Sequence, residues 1–456
     1  MNKIMLEDQY IEEDSTSPQR LSVDLSSSIY RPIQYLGSKL RSIDVLMSST
    51  KHLYRPGDTV VDAFSGSSVV AQAFAEVGCE VTAVDSSPCC TRLAAAMLGV
   101  GRGAGESLAY AASTIVHRIA QSRSYTDLAG ILAAERAAMC DSSGMELANF
   151  SRELPQIWRH SSGQKWLEKL RQAPGQDAFE LGAIATTHYA GTYFGIQQAV
   201  AIDAIRVEIE QLRRTCDITS WVENGLVSAL LSAMSRAVFS AGKHFAQPML
   251  ERPGVNDSFY RSRLLSDRSV DIGAAFIESA IKIDCFVKNG SHSVRGVPIE
   301  DVYIEFAELQ PSLVYADPPY TAQQYSRFYH VLDVISDYRL PQLQVVRGEV
   351  TKGLYGEGRY KSPYSSKNSA PRAFDTLVGS TRRAGSSLAI SYSLTATGQT
   401  GNARMIDFDE LKNICIKWYG KNVNDVRLEH SYKQFNSASR SKHARNEPEI
   451  ILVCES

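Results

Sequence analysis

Residues 59–85 read TVVDAFSGSSVVAQAFAEVGCEVTAVD, and this stretch decides the fold. Thr59-Val60-Val61 is the short apolar run of a buried strand, Ser68 to Val77 spaces its apolar residues as a helix does, and Glu80 to Val84 is a second strand. Two strands joined by a helix form a βαβ unit, because parallel strands need a crossover. The turn Asp62-Ala63-Phe64-Ser65-Gly66-Ser67-Ser68 is built of small residues, so backbone N–H groups and a helix N-terminus can approach a ligand. Asp85 ends the second strand, 23 residues beyond Asp62, where a carboxylate can accept both hydroxyls of a ribose. The pair points to a nucleoside-containing cofactor. The turn lacks GxGxxG, which counts against a dinucleotide.

Working outward, the pattern turns helical from about Leu98 to Ile281. SLAYAASTIVHRIA, DLAGILAAERAAM and GIQQAVAIDAIRVEIEQLRR all space apolar residues by three and four. Strand signals return at Ile283 to Val287, Leu313 to Tyr315, Ser387 to Ser391, Val426 to His430 and Ile450 to Cys454. The expected fold is α/β: a Rossmann-like, mostly parallel sheet over residues 29–100 and 281–456, interrupted by a large helical insertion at 101–280. Residues 1–28 carry six acids against two bases with no periodicity and read as a mobile acidic tail.

Composition narrows the function. With 44% hydrophobic and 21% charged residues, the chain is of ordinary globular type, neither collagen-like nor coiled-coil. A net charge of −2 gives no bulk attraction to polyanions, so any such site is local. The eight cysteines include no CxxC pair and join no zinc-spaced cluster, so no metal is expected, and scattered thiols suit a reducing, cytoplasmic setting. No run approaches a membrane span.

Asp317-Pro318-Pro319-Tyr320 follows the apolar strand Leu313-Val314-Tyr315-Ala316. Two prolines end the strand abruptly and leave the Asp317 carboxylate, a proline carbonyl and the Tyr320 ring at its C-terminal edge. Two acceptors beside a flat ring suit an aromatic amine. The carboxylate and the Pro318 carbonyl can accept both amino N–H groups and aim the nitrogen lone pair, while Tyr320 stacks on the base.

With these motifs and Gln34-Tyr35-Leu36-Gly37-Ser38-Lys39 before the first strand, the sequence resembles the adenine-specific DNA methylases, the Dam-like branch of the S-adenosylmethionine-dependent amino-methyltransferases. Residues Gly191 to Ala199 (GTYFGIQQA), Asp317 to His330 (DPPYTAQQYSRFYH) and Leu388 to Ser393 are similar to a narrower subgroup. The resemblance implies a methyltransferase sheet and S-adenosylmethionine as methyl donor. It implies transfer to the N6 amino group of an adenine flipped out of double-stranded DNA, with the insertion as target-recognition domain. It places Tyr35 and Lys39 at the methionine end of the cofactor, Asp62, Phe64 and Gly66 at its turn, Asp85 at the ribose and Asn289 beside the adenine. Asp317, Pro318, Pro319 and Tyr320 hold the target base. Restriction-modification, phage defence or epigenetic marking is the implied setting, with a companion restriction or defence protein. Two serines depart from the pattern: Ser38 replaces a second glycine, and Ser68 the last glycine of the turn, where a need for φ > 0 would strain it.

Between Pro341 and Asn446 the chain holds seventeen Lys or Arg against eight Asp or Glu. Lys352, Arg359 and Lys361 lie there among glycines and tyrosines, in a loop suited to phosphate contact. Trp158, Trp166 and Trp221 are expected in the core, and His188, His244 and His330 in structural roles. Tyr325, Arg327 and Tyr329 either contact the target strand or pack. Three alternatives stay open: an RNA adenine methyltransferase, a catalytically silent DNA-binding module, and a dehydrogenase if the DPPY is accidental.

Overall fold

The computed structural model describes residues 25–121, 128–154, 183–251, 257–339, 342–394, 403–428 and 449–456. Its centre is a seven-stranded sheet of β1 (Thr59–Asp62), β2 (Glu80–Val84), β3 (Ser293–Arg295), β4 (Leu313–Ala316), β5 (Ser387–Ser393), β6 (Val423–Leu428) and β7 (Glu449–Cys454). The order across the sheet is β3-β2-β1-β4-β5-β7-β6. The first five run parallel, and β7 runs antiparallel to both β5 and β6. This is the mostly parallel, Rossmann-like methyltransferase sheet expected from the sequence.

Alternate residues of a strand face opposite sides of the sheet, and both sides are covered here, which explains why the central strands are apolar. Val60, Val81, Leu313, Tyr315, Ala389 and Ile451 enter one core with α1 (Ile43–Thr50) and α2 (Val69–Glu76). Their neighbours Val61, Val314, Leu388 and Leu452 enter a second core on the opposite face, with Phe374, Leu377 and Leu411. Helix α3 (Pro88–Met97), started by a proline in its first turn, completes the βα alternation after β2.

The stretch between α3 and β3 is helical, as its spacing predicts. It holds α4 (Leu108–Gln121), α5 (Ala129–Met139), α6 (Met145–Glu153), α7 (Ile184–His188), α8 (Ile196–Arg214), α9 (Ser220–Ala237), α10 (Ser258–Arg268) and α11 (Ile272–Phe286). Most of these helices share one core with Leu93 and Met97 of α3 and with Tyr329, Val331 and Leu332 after β4, while Tyr260 and Leu264 of α10 join Leu147 and Ala148 of α6 in a smaller cluster. Trp221 is in that core, its indole N–H donating to the Ala96 carbonyl at 3.0 Å; Trp158 and Trp166 lie outside the described residues.

One strand assignment needs correction. Ile283 to Val287 is the end of helix α11, not a strand. Asp271 caps that helix by accepting from the Ala274 amide, and Ile272, Ala275, Phe276, Ser279, Ala280 and Ile283 form its buried helical stripe. The third strand is instead the three residues Ser293–Arg295. Val426 to His430 begins earlier, in β6, and its last two residues lie outside the described residues.

Candidate active site

Strand order reverses between β1 and β4, which opens a crevice at their C-terminal ends. Asp62 pairs in register with Ala83 of β2 and Tyr315 of β4, so Asp85 and Asp317, each two residues further on, reach the same level. Asp62 lies close enough behind them to feel both charges. A cleft of about 320 Å³ opens there, its walls including Tyr35, Phe64, Asp85, Pro298, Ile299, Asp317, Pro319, Tyr325 and Tyr360.

The turn after β1 is tight. Gly66 has φ +51°, and a Cβ there would stand 2.8 Å from the Tyr35 ring, so glycine is the residue that lets the two segments meet. Tyr35 in turn stacks on Tyr329 at 4.6 Å, and the Tyr329 hydroxyl accepts from the Leu36 amide at 2.7 Å. Asp85 brackets the turn, accepting from the Gly66 amide at 2.8 Å and the Ser87 amide at 2.9 Å. The two departures from the family pattern differ in consequence. Ser38 has φ −54°, open to any residue, whereas Ser68 at φ +61° occupies the left-handed region that glycine would fill without strain.

Asp62 is 1% exposed, and neither carboxylate oxygen meets a donor at full hydrogen-bonding geometry. Burial pushes its carboxyl up to about 7, the charges of Asp317 and Asp85 adding to the rise while the Ala71 backbone and Ser65 temper it. Buried polar groups are ordinarily satisfied, so an acid met only weakly by Ala71 and Ser65 suits a ligand that donates or carries positive charge. Asp85 is also raised by burial, against the amides of Ser87 and Gly66.

Asp317 forms an ion pair with Lys39 at 3.0 Å, and the same ammonium contacts Glu449 at the start of β7. Burial works against the charge of Lys39, but the two carboxylates outweigh it and its pKa is raised. Burial likewise raises Asp317, with Lys39 opposing and Glu449 adding to the rise. Lys39 therefore stands at Asp317, and Tyr35 alone of the two meets the turn. Tyr320 packs its ring 5.7 Å from Tyr392 and 5.0 Å from the Arg404 guanidinium.

Asn289 is not brought to this edge. It is exposed ahead of β3, 3.4 Å from the Arg102 guanidinium, because the strand it was expected to follow is a helix. The residues that follow β3 at the cleft are Pro298 and Ile299. Beyond them lies the half-buried side chain of Glu300, raised by burial, with its own backbone and Tyr360 tempering the rise.

The basic stretch after β4 is an arm with buried anchors. It carries a hairpin of Val345–Val346 and Glu349–Val350, and Leu354, Tyr355 and Tyr364 are in the core. Lys352 and Lys361 are exposed, as phosphate contact requires, but Arg359 turns inward, over the Tyr355 ring at 4.6 Å and into the cleft wall. Arg327 lies over the other side of that grouping, 5.0 Å from Tyr355, while Tyr329 is buried. The GTYFGIQQA segment is scaffold for the arm. Glu135 accepts from the Ile196 and Gln197 amides at the start of α8, and the Tyr193 hydroxyl reaches the Phe245 and Gly353 carbonyls. His330 is buried and held by the Phe245 carbonyl; burial lowers it to about 3. Glu449 and Glu135 were missed from sequence, because each acts across hundreds or tens of residues with no local motif.

Among the described residues no group of three or more His, Cys, Asp or Glu side chains is placed to hold a metal ion. No helix among them is long and apolar enough to cross a membrane.

Comparison with known proteins gives two relatives. The chain is 24% identical over 294 residues to modification methylase LlaI of Lactococcus lactis subsp. lactis, covering 63% of this chain and 41% of that protein. It is 24% identical over 189 residues to the type II methyltransferase M.FokI of Planomicrobium okeanokoites, covering 41% of this chain and 25% of that protein. The chain thus spans well under half the length of either relative. No family model matches it. The resemblance to DNA methylases read from the motifs is borne out by these relatives.

Proposed function

We propose that this chain transfers a methyl group from S-adenosylmethionine to the exocyclic N6 amino group of an adenine flipped from double-stranded DNA, as an adenine-specific DNA methyltransferase of a modification system. The observation that carries the reading is the convergence of Asp85 and the DPPY acid Asp317 on one strand-end cleft, with Asp62 buried beside them at the end of β1.

The residues fit the cofactor. Asp62 offers a buried carboxylate, only weakly met by the Ala71 backbone and Ser65, to an ammonium such as the methionine end presents, and the Gly66 turn keeps the backbone close. Asp85 keeps lone pairs for the ribose while bracketing the turn, and Pro298 with Ile299 supplies an apolar wall for the adenine, where Asn289 does not reach. S-adenosylmethionine bound there supplies an electrophilic methyl. Asp317 and the Pro318 carbonyl accept the two amino N–H groups of the target base and fix its nitrogen in line. Lys39 holds the Asp317 carboxylate in place through their ion pair. Removing the base from its stack costs a few kcal/mol, offset by those acceptors and by aromatic contact. Lys352 and Lys361 on the arm are placed for phosphates.

The relatives' names, a modification methylase and a type II methyltransferase, support methyl transfer in a modification system. The test is incubation with methyl-labelled cofactor and either duplex DNA, duplex DNA lacking adenine, or RNA, followed by nucleoside analysis. Label in N6-methyldeoxyadenosine is expected; label only in RNA, or in no nucleic acid, refutes the reading.

A further inference from the structure

Resting on that proposed function, we infer that Glu449 is a positioning residue for methyl transfer, sharing the Lys39 ammonium with Asp317 so that the buried group keeps one unbalanced negative charge at the target amine. The observation is the trio itself. Lys39 is 5% exposed and Glu449 9% exposed, and one ammonium serves both acids. A single buried ion pair would be neutral; two carboxylates on one lysine leave a net charge of −1, an arrangement that costs desolvation energy and serves no purpose in packing alone.

The reaction supplies the missing cation. As the amino nitrogen forms its bond to the methyl carbon, the carbon–sulfur electron pair returns to sulfur and the positive charge passes to nitrogen, which then gives one proton to the Asp317 carboxylate. A preorganised negative charge at that point is stronger in the transition state than in the ground state, which is the condition for raising a rate. Without Glu449, Lys39 would belong to Asp317 alone, neutralising the acceptor and drawing it from the amine. The acid comes from the edge of β7, 410 residues from Lys39, and Glu449 pairs in register with Ser393 of β5, so the strand ladder fixes where its side chain begins.

The other groups that bear on Asp317 are Asp62 at the end of β1, Tyr315 on β4, and Tyr320 and Tyr325 beyond it; burial raises Tyr315 and Tyr325, which stay neutral through the working range. Glu449→Gln then makes two effects separable. Single-turnover methyl transfer on duplex DNA is expected to slow about tenfold to a hundredfold, with dissociation constants for DNA and S-adenosylmethionine unchanged. At the same time the acid limb of the rate–pH profile is expected to move to lower pH, because Asp317 loses the neighbouring charge that makes it basic. Glu449→Asp keeps the charge at greater distance, so its limb stays near the wild-type position while its rate falls by less. A merely structural role would slow transfer without moving the limb, and that result, or an unchanged rate, overturns the inference. If Glu449→Gln does not fold, ¹³C-carboxylate titration of Asp317 in wild type and Glu449→Asp decides, since the inference requires only a small downward change there. Wild-type protein that methylates no DNA overturns the proposed function itself, an outcome distinct from active wild type with an equally active Glu449→Gln.

Discussion

Replacing Asp62 by Asn tests whether the buried acid waits for a cation. Its carboxyl sits at about 7 in the folded protein against 3.8 as the ordinary value. A rise of about three units corresponds to about 4 kcal/mol by which the fold prefers the protonated form. The sign follows from proton counting. Between pH 4 and 7 the unfolded chain has released this proton and the folded one keeps it, so stability falls by about 1.4 kcal/mol per unit as pH rises, then levels above 7. Asn has no such term. Relative to wild type, Asp62→Asn should therefore gain stability across that window, by up to about 4 kcal/mol at pH 8, read as the difference between urea midpoints at pH 5 and pH 8. Cofactor binding should move the opposite way. S-adenosylmethionine affinity should fall about tenfold per unit below pH 7 in wild type, with a proton released on binding near pH 6, visible as a buffer-dependent heat in calorimetry. Asp62→Asn should bind weakly at every pH and release no proton. Undiminished affinity in the variant, or a wild-type heat independent of buffer, would refute the assignment of Asp62 to the ammonium.

Asp317→Ala should reduce single-turnover methylation by at least about tenfold to a hundredfold while S-adenosylmethionine affinity holds, because it removes a charge-assisted acceptor from the amine and not from the cofactor. Wild-type rates in that variant would sink the amine-positioning role. Neutralising Lys352 and Lys361 together should flatten the salt dependence of duplex binding by up to about 1.8 in slope, since each phosphate contact contributes about 0.9; an unchanged slope leaves both lysines as solvated surface. Ser68→Gly should stabilise the protein by about 1 kcal/mol or less, relief of the left-handed strain being partly offset by glycine's greater freedom when unfolded and by loss of the 3.1 Å contact with Gln72. A lower urea midpoint in Ser68→Gly would mean that this hydroxyl outweighs the strain.

The chemistry-bearing strands were legible because their signals are local. Thr59 to Asp62, Glu80 to Val84 and Leu313 to Ala316 are apolar runs closed by an acid or a proline, and the sheet places those endings at one edge. The third strand was not legible, for a physical reason. Ser293–Arg295 is three half-buried residues with no apolar run to mark it, while Ile281, Ile283 and Cys285 just before it happen to alternate as a strand does. The longer stripe from Ile272 to Ile283, with its Asp271 cap, resolves that ambiguity for the helix, and Asn289 loses its place beside the cofactor as a consequence. Arg359 illustrates a different limit. Composition marks it as one base among seventeen, and only its neighbour Tyr355, anchored to the Ala246 carbonyl, turns it inward.

The charges of the cleft and of its surroundings have opposite purposes on the proposed function. Asp317 and Glu449 share the ammonium of Lys39 while Asp62 and Asp85 lie nearby, and burial first, with neighbouring carboxylates adding to it, raises Asp62 and Asp317. Such a cleft favours cationic ligands, a sulfonium with its ammonium and an amine about to become positive, and it repels a polyanion. DNA must nevertheless bring one base to it. The exposed bases Arg327, Arg347, Lys352 and Lys361, carried on the segment that follows β4, answer that conflict by holding phosphates at the rim while the neutral base alone enters. A net charge of −2 for the whole chain is compatible with this division, because acids at the floor and bases at the approach offset one another in the sum.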